Sequence, residues 1–277
     1  MTSTPHQRRE HSPRGGKEQS FSSGNRGPAT WHDRYRQQAE WTRPIRERLL
    51  ASAGLSPTGR LLEVGSGTGA ITGDLAHSAP SRTYGLDIDA AANAFAQTAL
   101  PEIPLVTGDA LRLPFEEGVF EACVCHFLLL WIADPLIVLR EMRRVTAPGG
   151  WIACLAEPDY GGRIDHPEEL RPLGDWQAKA LRRQGAHTEV GRTLLGLLGD
   201  AGLVAVEGGV LGATWTSSLL AAGEPTEWET LRLDLEGSKH ARRLDELEES
   251  DRRARLRGSR VLYVPTFFAH GRVPPPR

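Results

Sequence analysis

The stretch RLLEVGSGTGAITGDL, residues 60–75, places glycines at positions 65, 67 and 69 between a strand pattern and a helix pattern. Glycine tolerates positive φ angles and, because it lacks a side chain, lets a ligand approach the backbone closely. The N-terminus of the following helix offers free amide groups and a positive potential. This order of strand, glycine loop and helix therefore predicts a binding site for a nucleotide-like ligand.

The spacing of the glycines limits the ligands that would suit this loop. The dinucleotide fingerprint of dehydrogenases is G-x-G-x-x-G, whereas the glycines here are spaced G-x-G-x-G, one residue shorter. A phosphate-binding loop ends in Lys followed by Ser or Thr, and neither that lysine nor that order is present. A pyrophosphate cradle therefore fits this loop poorly.

Strand and helix patterns alternate from residue 60 to residue 157, after an amphipathic helix predicted over residues 31–50 with a bend at Pro44. Such alternation predicts an α/β fold of parallel strands joined by helical crossovers, with helices on both faces of the sheet. The strand patterns are RLLEVG, RTYGLDI, IPLVTGD, VFEACVCHF and GGWIACLAE, and the helix patterns between them are AITGDLAHSA, AAANAFAQTAL and PLIVLREMRRVT.

The pattern changes after Glu157, where a loop EPDYGGRIDHP precedes two helical stretches, EELRPLGDWQAKALRRQG and GRTLLGLLGDAG. Two further strands are predicted from LVAVEGGVLGATW and RVLYVPTFFAHG. The highly charged residues 224–257 predict a helical insertion between these strands. Residues 1–28 are rich in Ser, Gly, Pro and Arg and predict a disordered tail, so that residues 29–277 form one domain.

Composition excludes several classes of protein. The 277 residues carry a net charge of -2, which does not indicate a polyanionic partner. Cys123, Cys125 and Cys154 lack the spacing of a disulfide framework or a metal site, which favours a reducing compartment. The first two should point to one face of a strand. No apolar stretch resembles a signal peptide or is long enough to span a bilayer, so we expect a cytoplasmic protein.

The segment EVGSGTG, residues 63–69, resembles the first motif of class I S-adenosylmethionine (SAM)-dependent methyltransferases, in which an acid lies two residues before G-x-G-x-G. The segments YGLDID, GDA and LREMRRVTAPGGWIAC resemble later landmarks of this family, in the family's order. Phe120-Glu121 departs mildly from the Phe-Asp that the family often has. The resemblance covers residues 31–160 and is strongest to the ubiquinone/menaquinone-biosynthesis-like group. It implies a Rossmann-like, seven-stranded, mostly parallel sheet with an antiparallel last strand and a helical cap insertion.

The same resemblance implies the residues that bind SAM. Asp87 matches the acid that binds the ribose hydroxyls, and Asp109 matches the acid facing the adenine amino group. As alternatives, Asp87 could cap the next helix and Asp109 could be a turn residue. Their positions after successive strands, where open α/β sheets bind ligands, favour binding. The residues that the family's motifs assign to the cofactor are Glu63, Gly65, Ser66, Gly67, Gly69, Asp87, Ile88, Asp109 and Ala110.

The helix before the first strand is a further candidate for the cofactor site. Tyr35, Gln38, Trp41 and Thr42 share one helical face. In many small-molecule methyltransferases a leading helix covers the cofactor. We therefore expect Tyr35 and Gln38 to contact SAM.

Methyl transfer is an in-line displacement that depends mainly on positioning, and it needs a general base only if the acceptor must lose a proton. The candidate catalytic residues are His126, which could instead line the cofactor or be structural, and Asp159 and Tyr160, with His166 in the same loop as Asp159. No metal is expected.

The expected function is transfer of a methyl group from SAM to an O, N or C atom of a small molecule. A non-catalytic SAM-binding protein and an NAD-dependent oxidoreductase are the alternatives. Nucleic-acid amino methyltransferases carry Asn or Asp, Pro, Pro and an aromatic residue after the fourth strand, where this chain has CHFLLLW. We therefore expect no nucleic-acid partner, and a homodimer is left open.

Overall fold

The computed structural model describes residues 27–79, 81–212 and 225–276. Its main sheet has seven strands in the order β3-β2-β1-β4-β5-β9-β7. The strands from β1 to β5 pair in parallel, and β9 runs antiparallel between β5 and β7. This is the predicted α/β sheet with an antiparallel last strand. The strands are β1 (Arg60–Val64), β2 (Arg82–Asp87), β3 (Leu105–Thr107), β4 (Phe120–Cys125), β5 (Thr146–Pro158), β6 (Ile164–His166), β7 (Val204–Val210), β8 (Val261–Tyr263) and β9 (Thr266–Arg272).

The first helix begins earlier than predicted. It starts at Pro28, whose fixed φ suits the first turn of a helix, and it continues through Pro44. The predicted disordered tail therefore overlaps the helix at residue 28, and residues 1–26 lie outside the described residues. The α-helices are α1 (Pro28–Ala53), α2 (Ala70–Ser78), α3 (Ala90–Ala99), α4 (Pro135–Val145), α5 (Pro172–Arg183), α6 (Leu194–Asp200), α7 (Pro225–Asp234) and α8 (Leu244–Leu256).

The sheet is buried on both faces, as parallel strands require. Successive residues of β1 alternate between the two faces, because Leu62 packs in the cluster that contains α4 and Leu61 packs in the cluster that contains α1 and α2. Cys123 and Cys125 lie in the first of these clusters, on one face as predicted. Because the strands from β1 to β5 pair in parallel, their carboxyl ends share one edge of the sheet.

The prediction of one continuous final strand from RVLYVPTFFAHG is wrong. The structure divides it into β8 and β9 on either side of Val264 and Pro265, where proline cannot donate a ladder hydrogen bond. Strand β8 pairs with β6, which lies in the stretch predicted to be a loop. The strand predicted over residues 203–215 is β7, and its last residues, 213–215, lie outside the described residues.

A helical cap lies between β7 and β9 in sequence. Helices α7 and α8 fall within residues 224–257, where the charged pattern predicted an insertion. They form a separate apolar cluster with α5, in which Trp228, Leu231 and Leu247 pack with Leu173 and Trp176. The cap therefore has its own small core beside the main sheet.

Candidate functional site

The glycine loop after β1 uses the conformational freedom of glycine at all three positions. Gly65, Gly67 and Gly69 have φ angles of 79°, 50° and 79°. The N–H groups of Gly65 and Ser66 donate to the carbonyl of Leu86 at 2.7 and 2.9 Å, which fixes the loop against β2. A side chain at Gly67 would be strained by the backbone conformation there. The loop is thus held in one shape by its glycine conformations and by its hydrogen bonds to β2.

Asp87 at the end of β2 joins the glycine loop to the second strand. Its Oδ2 accepts the N–H of Gly67 at 2.7 Å, and its Oδ1 accepts the N–H of Asp89 at 2.9 Å. Burial raises the pKa of Asp87, and these hydrogen bonds offset part of that increase. The alternative role of helix cap belongs to Asp89 instead, whose carboxylate accepts the N–H groups of Ala91 and Ala92. Asp87 therefore does not cap α3, and its carboxylate holds the glycine loop through the N–H of Gly67.

The ends of β2 and β3 lie side by side. The N–H of Gly108 donates to the carbonyl of Asp87 at 3.0 Å, which brings the two predicted acids to one edge. Asp109 makes the turn contact proposed as its alternative role, since its Oδ1 accepts the N–H of Leu111 at 2.8 Å. Ala110 is buried, whereas Ile88 is 60% exposed and offers an apolar surface beside the acids. This edge combines hydrogen-bond acceptors with an open apolar face.

Glu63 lies within β1 and is 1% exposed. Its Oε2 accepts the hydroxyl of Thr72 at 2.6 Å, so it contacts the first turn of α2. Burial raises the pKa of Glu63 to about 8, although Thr72 and Arg46 oppose that shift. In this structure the carboxyl of Glu63 holds the helix behind the glycine loop.

Helix α1 lies over the glycine loop. A Cβ at Gly67 would lie 3.7 Å from the ring of Tyr35, so the aromatic ring covers the loop at that point. His32 Nδ1 lies 3.0 Å from the hydroxyl of Thr68. Burial and the Asp87 carboxylate raise the pKa of Tyr35. Gln38, the second predicted helix residue, is half-buried on the same helix.

His126 follows β4 and is buried between the sheet and α1. Its Nε2 lies 2.9 Å from the hydroxyl of Thr42. Burial, with a smaller contribution from the Arg46 guanidinium, lowers the pKa of His126 to about 3. The imidazole is therefore neutral, with one nitrogen engaged by α1, and this environment differs from that of a general base near neutral pH.

The loop after β5 contains the other catalytic candidates. Asp159 is 2% exposed. Its carboxylate accepts hydrogen bonds from Nε and Nη2 of Arg192, and the bond from Nη2 is 2.7 Å long. Burial raises the pKa of the Tyr160 phenol, while nearby Arg34 lowers it and Asp234 raises it. Tyr160 packs against the main apolar cluster, and the turn that it begins contacts α5. His166 is an exposed residue at the end of β6.

A fully buried acid at the end of β5 was not among the predicted site residues. Glu157 accepts the N–H groups of Leu128 and Leu129 at 2.9 Å through Oε1, and that of Leu130 at 3.2 Å through Oε2. Burial raises the pKa of Glu157 to about 7, against these hydrogen bonds. Glu157 therefore fixes the loop after β4. That loop lies against the glycine loop, since a Cβ at Gly65 would lie 2.9 Å from the side chain of Leu128. The available signal was an acid ending an otherwise apolar strand.

Across residues 27–79, 81–212 and 225–276, His, Cys, Asp and Glu side chains form no group of three or more that could hold a metal ion. In the same ranges, every helix is too short or too polar to cross a membrane.

A family model described as a methyltransferase domain matches residues 62–154. The demethylmenaquinone methyltransferase of Mycolicibacterium vanbaalenii is 40% identical over 110 residues, which are 40% of this chain and 45% of that protein. The chain therefore matches less than half the length of this curated relative. An uncharacterised methyltransferase of Schizosaccharomyces pombe is 29% identical over 72% of this chain and 75% of its own length.

The fold is also shared with solved structures. Geranyl diphosphate C-methyltransferase from Streptomyces coelicolor, in complex with Mg²⁺, geranyl diphosphate and S-adenosylhomocysteine, superimposes with a TM-score of 0.52 at 18% identity. The match covers 83% of this chain and 79% of that chain. At this identity the likeness establishes the architecture, and the chemistry has to be argued from the residues described above.

Proposed function

We propose that this chain, whose residues 62–154 match the methyltransferase domain family, transfers a methyl group from SAM to a small-molecule acceptor. The observation that carries the proposal is the position of Asp87, whose carboxylate joins the glycine loop to the end of β2. Open α/β sheets bind their ligands at this edge. The S-adenosylhomocysteine bound by the Streptomyces enzyme supports the cofactor, and the acceptors in the relatives' names support the substrate class.

The residues at this edge fit SAM better than a dinucleotide. Asp87 and Asp109 present carboxylates, which suit the hydroxyl groups of a ribose and the amino group of an adenine. The exposed side chain of Ile88 supplies an apolar surface for a base. A pyrophosphate would face these carboxylates without a lysine between residues 60 and 110 to offset its charge. The shorter glycine spacing points in the same direction.

Bound SAM would supply a methyl group on a sulfonium, which a nucleophilic atom of the acceptor can displace. The protein's contribution is then largely positioning. Tyr35 covers the glycine loop and restricts water there, and Glu157 fixes the loop after β4. We assign Tyr160, in the loop after β5, to contact with the acceptor. Asp159 holds that loop in place through its ion pair with Arg192.

Calorimetric titration with SAM, S-adenosylhomocysteine and NADH tests the cofactor assignment. We expect the wild type to bind the two sulfur nucleosides and not NADH. Asp87→Ala should weaken SAM binding at least about tenfold, because hydrogen bonds to a charged partner are lost. Asp89→Ala is the matched control, since it removes a nearby acid that caps α3, and it should change the affinity by less than about threefold. Undiminished binding by Asp87→Ala would overturn the assignment.

Turnover is tested separately with a small-molecule extract and SAM. Formation of S-adenosylhomocysteine above the level given by Asp87→Ala supports methyl transfer, whereas binding without turnover would favour a non-catalytic SAM-binding protein. Binding of NADH in place of SAM would favour an oxidoreductase. The extract can then be fractionated to identify the acceptor.

Location and partners are part of the same proposal. The three cysteines are free and buried, which supports a reducing compartment such as the cytoplasm. The net charge of -2 supports a small molecule rather than a nucleic acid as acceptor. A homodimer stays a prediction, and light scattering after gel filtration would test it.

A further inference from the structure

A chain of polar side chains, buried except at its Asp74 end, crosses from α2 to the end of β4 by way of α1. Asp74 Oδ2 accepts Nη2 of Arg46 at 2.5 Å, and Nη1 of Arg46 donates to the hydroxyl oxygen of Thr42 at 2.8 Å. The same hydroxyl lies 2.9 Å from Nε2 of His126. The side chain of Arg46 is 2% exposed, and Thr42 and His126 are also buried. We call these four residues the α1 latch.

The direction of the hydrogen bonds in the α1 latch follows from the donors available. Arg46 can only donate, so Thr42 accepts from it and keeps one proton of its own to give. His126 Nε2 is nearer to the hydroxyl than the carbonyls of Gln38 and Ala39, both at 3.2 Å. Thr42 and His126 share one hydrogen bond, in which the hydroxyl donates when the ring proton is on Nδ1 and accepts when that proton is on Nε2.

The two latch residues that belong to α1, Thr42 and Arg46, lie on the same face of that helix as the residues that cover the glycine loop. His32, Tyr35, Ala39, Thr42 and Arg46 are spaced alternately by three and four residues, which places them along one stripe of α1. Seven residues of helix separate Tyr35 from Thr42, a rise of about 10 Å. Fixing Thr42 and Arg46 therefore fixes how Tyr35 lies over Gly67.

We propose that Thr42 and His126 are positioning residues that hold α1 closed over the cofactor site. The pair joins α1 directly to the end of β4, in addition to the apolar packing of α1 on α2 and the sheet. The proposal rests on the proposed function for its cofactor, but the closed position of α1 is a property of the protein alone. A test of the closed position of α1 is therefore separate from a test of the proposed function.

The test compares Thr42→Val with Thr42→Ser. Valine keeps the shape of threonine without the hydroxyl, and serine keeps the hydroxyl. We expect Thr42→Val to speed amide hydrogen exchange in residues 32–40 at least about tenfold without ligand. It should also weaken SAM binding by a similar factor, and Thr42→Ser should restore both quantities to within about threefold of wild type. Thr98→Val, at an exposed threonine of α3, is the matched control and should change neither.

The outcomes separate a positioning role from a structural one. A lower unfolding midpoint for Thr42→Val with unchanged exchange in residues 32–40 would overturn the proposal. If Thr42→Val does not fold, Asp74→Asn loosens the partly exposed end of the α1 latch and should accelerate the same amides. If Asp74→Asn leaves their exchange unchanged, the proposal fails. If the wild type binds no SAM, the proposed function fails, while the exchange measurement still decides the latch.

Discussion

Arg260 and Asp165 form a fully buried ion pair, with Nη2 2.7 Å from Oδ1 and side chains 1% and 2% exposed. Arg260 also donates to Asp251 of α8 through Nε at 2.5 Å, and Arg163 links Asp165 to Glu227 of α7. The strand β6 is thereby tied to both helices of the cap. The charges balance within this cluster of three arginines and three acids, namely Arg163, Arg255, Arg260, Asp165, Glu227 and Asp251.

Replacing Arg260 by Met should lower the free energy of unfolding by about 3 kcal/mol, because breaking a buried ion pair leaves acids without their compensating charge. Urea denaturation measures the loss. Arg171→Met is the control, since its pair with Glu168 is exposed at the surface and should contribute little. Equal midpoints for the two variants would show that the buried cluster does not hold the cap.

Glu157→Ala should destabilise the protein by at least about 2 kcal/mol, since it leaves the buried N–H groups of Leu128, Leu129 and Leu130 without their acceptor. Glu157→Gln should recover most of this loss because its amide oxygen can still accept two of the three. Urea denaturation and SAM titration of both variants check the prediction. If Glu157→Gln destabilises the protein as much as Glu157→Ala does, the lost hydrogen bonds to the loop after β4 are not the cause of the destabilisation.

The buried carboxyl of Glu63 predicts a stability that depends on pH. Its pKa is about 8 in the folded protein, against an ordinary value of 4.5. Between these values the folded state binds more protons than the unfolded state, so the free energy of unfolding should fall as pH rises, by up to about 1.4 kcal/mol per pH unit. Glu63→Gln should remove this contribution.

Urea denaturation of wild type and Glu63→Gln from about pH 5 to about pH 8 isolates the effect, since other groups cancel in the difference. The stability of the wild type relative to the variant should decrease steadily through this range. A difference that stays constant or increases would show that Glu63 is ionised in the fold.

The predictable part of the site consists of side chains at the ends of strands or just beyond them. Asp87 and Asp109 each come after a strand pattern, and parallel strands place such residues on one edge whatever the distant contacts are. Glu157 and Thr42 were harder to predict because their roles depend on partners far along the chain. Thr42 contacts a residue 84 positions later, and Glu157 one 29 positions earlier. No local pattern reports such a partner.

The fold, like the site, has parts that local sequence patterns predict and parts that depend on distant contacts. The alternation of strand and helix patterns predicted the parallel sheet, because the period of each element is local. The break between β8 and β9 was missed, since apolar residues continue on both sides of Pro265. The separation becomes evident in the structure, where β8 pairs with β6 while β9 pairs with β5 and β7.

Tyr160→Phe tests whether the loop after β5 contacts the acceptor. The raised pKa keeps the phenol protonated, so it can donate a hydrogen bond to a bound acceptor. Losing that bond should lower the rate of S-adenosylhomocysteine formation about tenfold while SAM affinity stays unchanged. Asp159→Asn should act differently, because it weakens the ion pair with Arg192 and lowers the unfolding midpoint. A full rate in Tyr160→Phe would remove the hydroxyl from the acceptor site and leave Tyr160 a packing role.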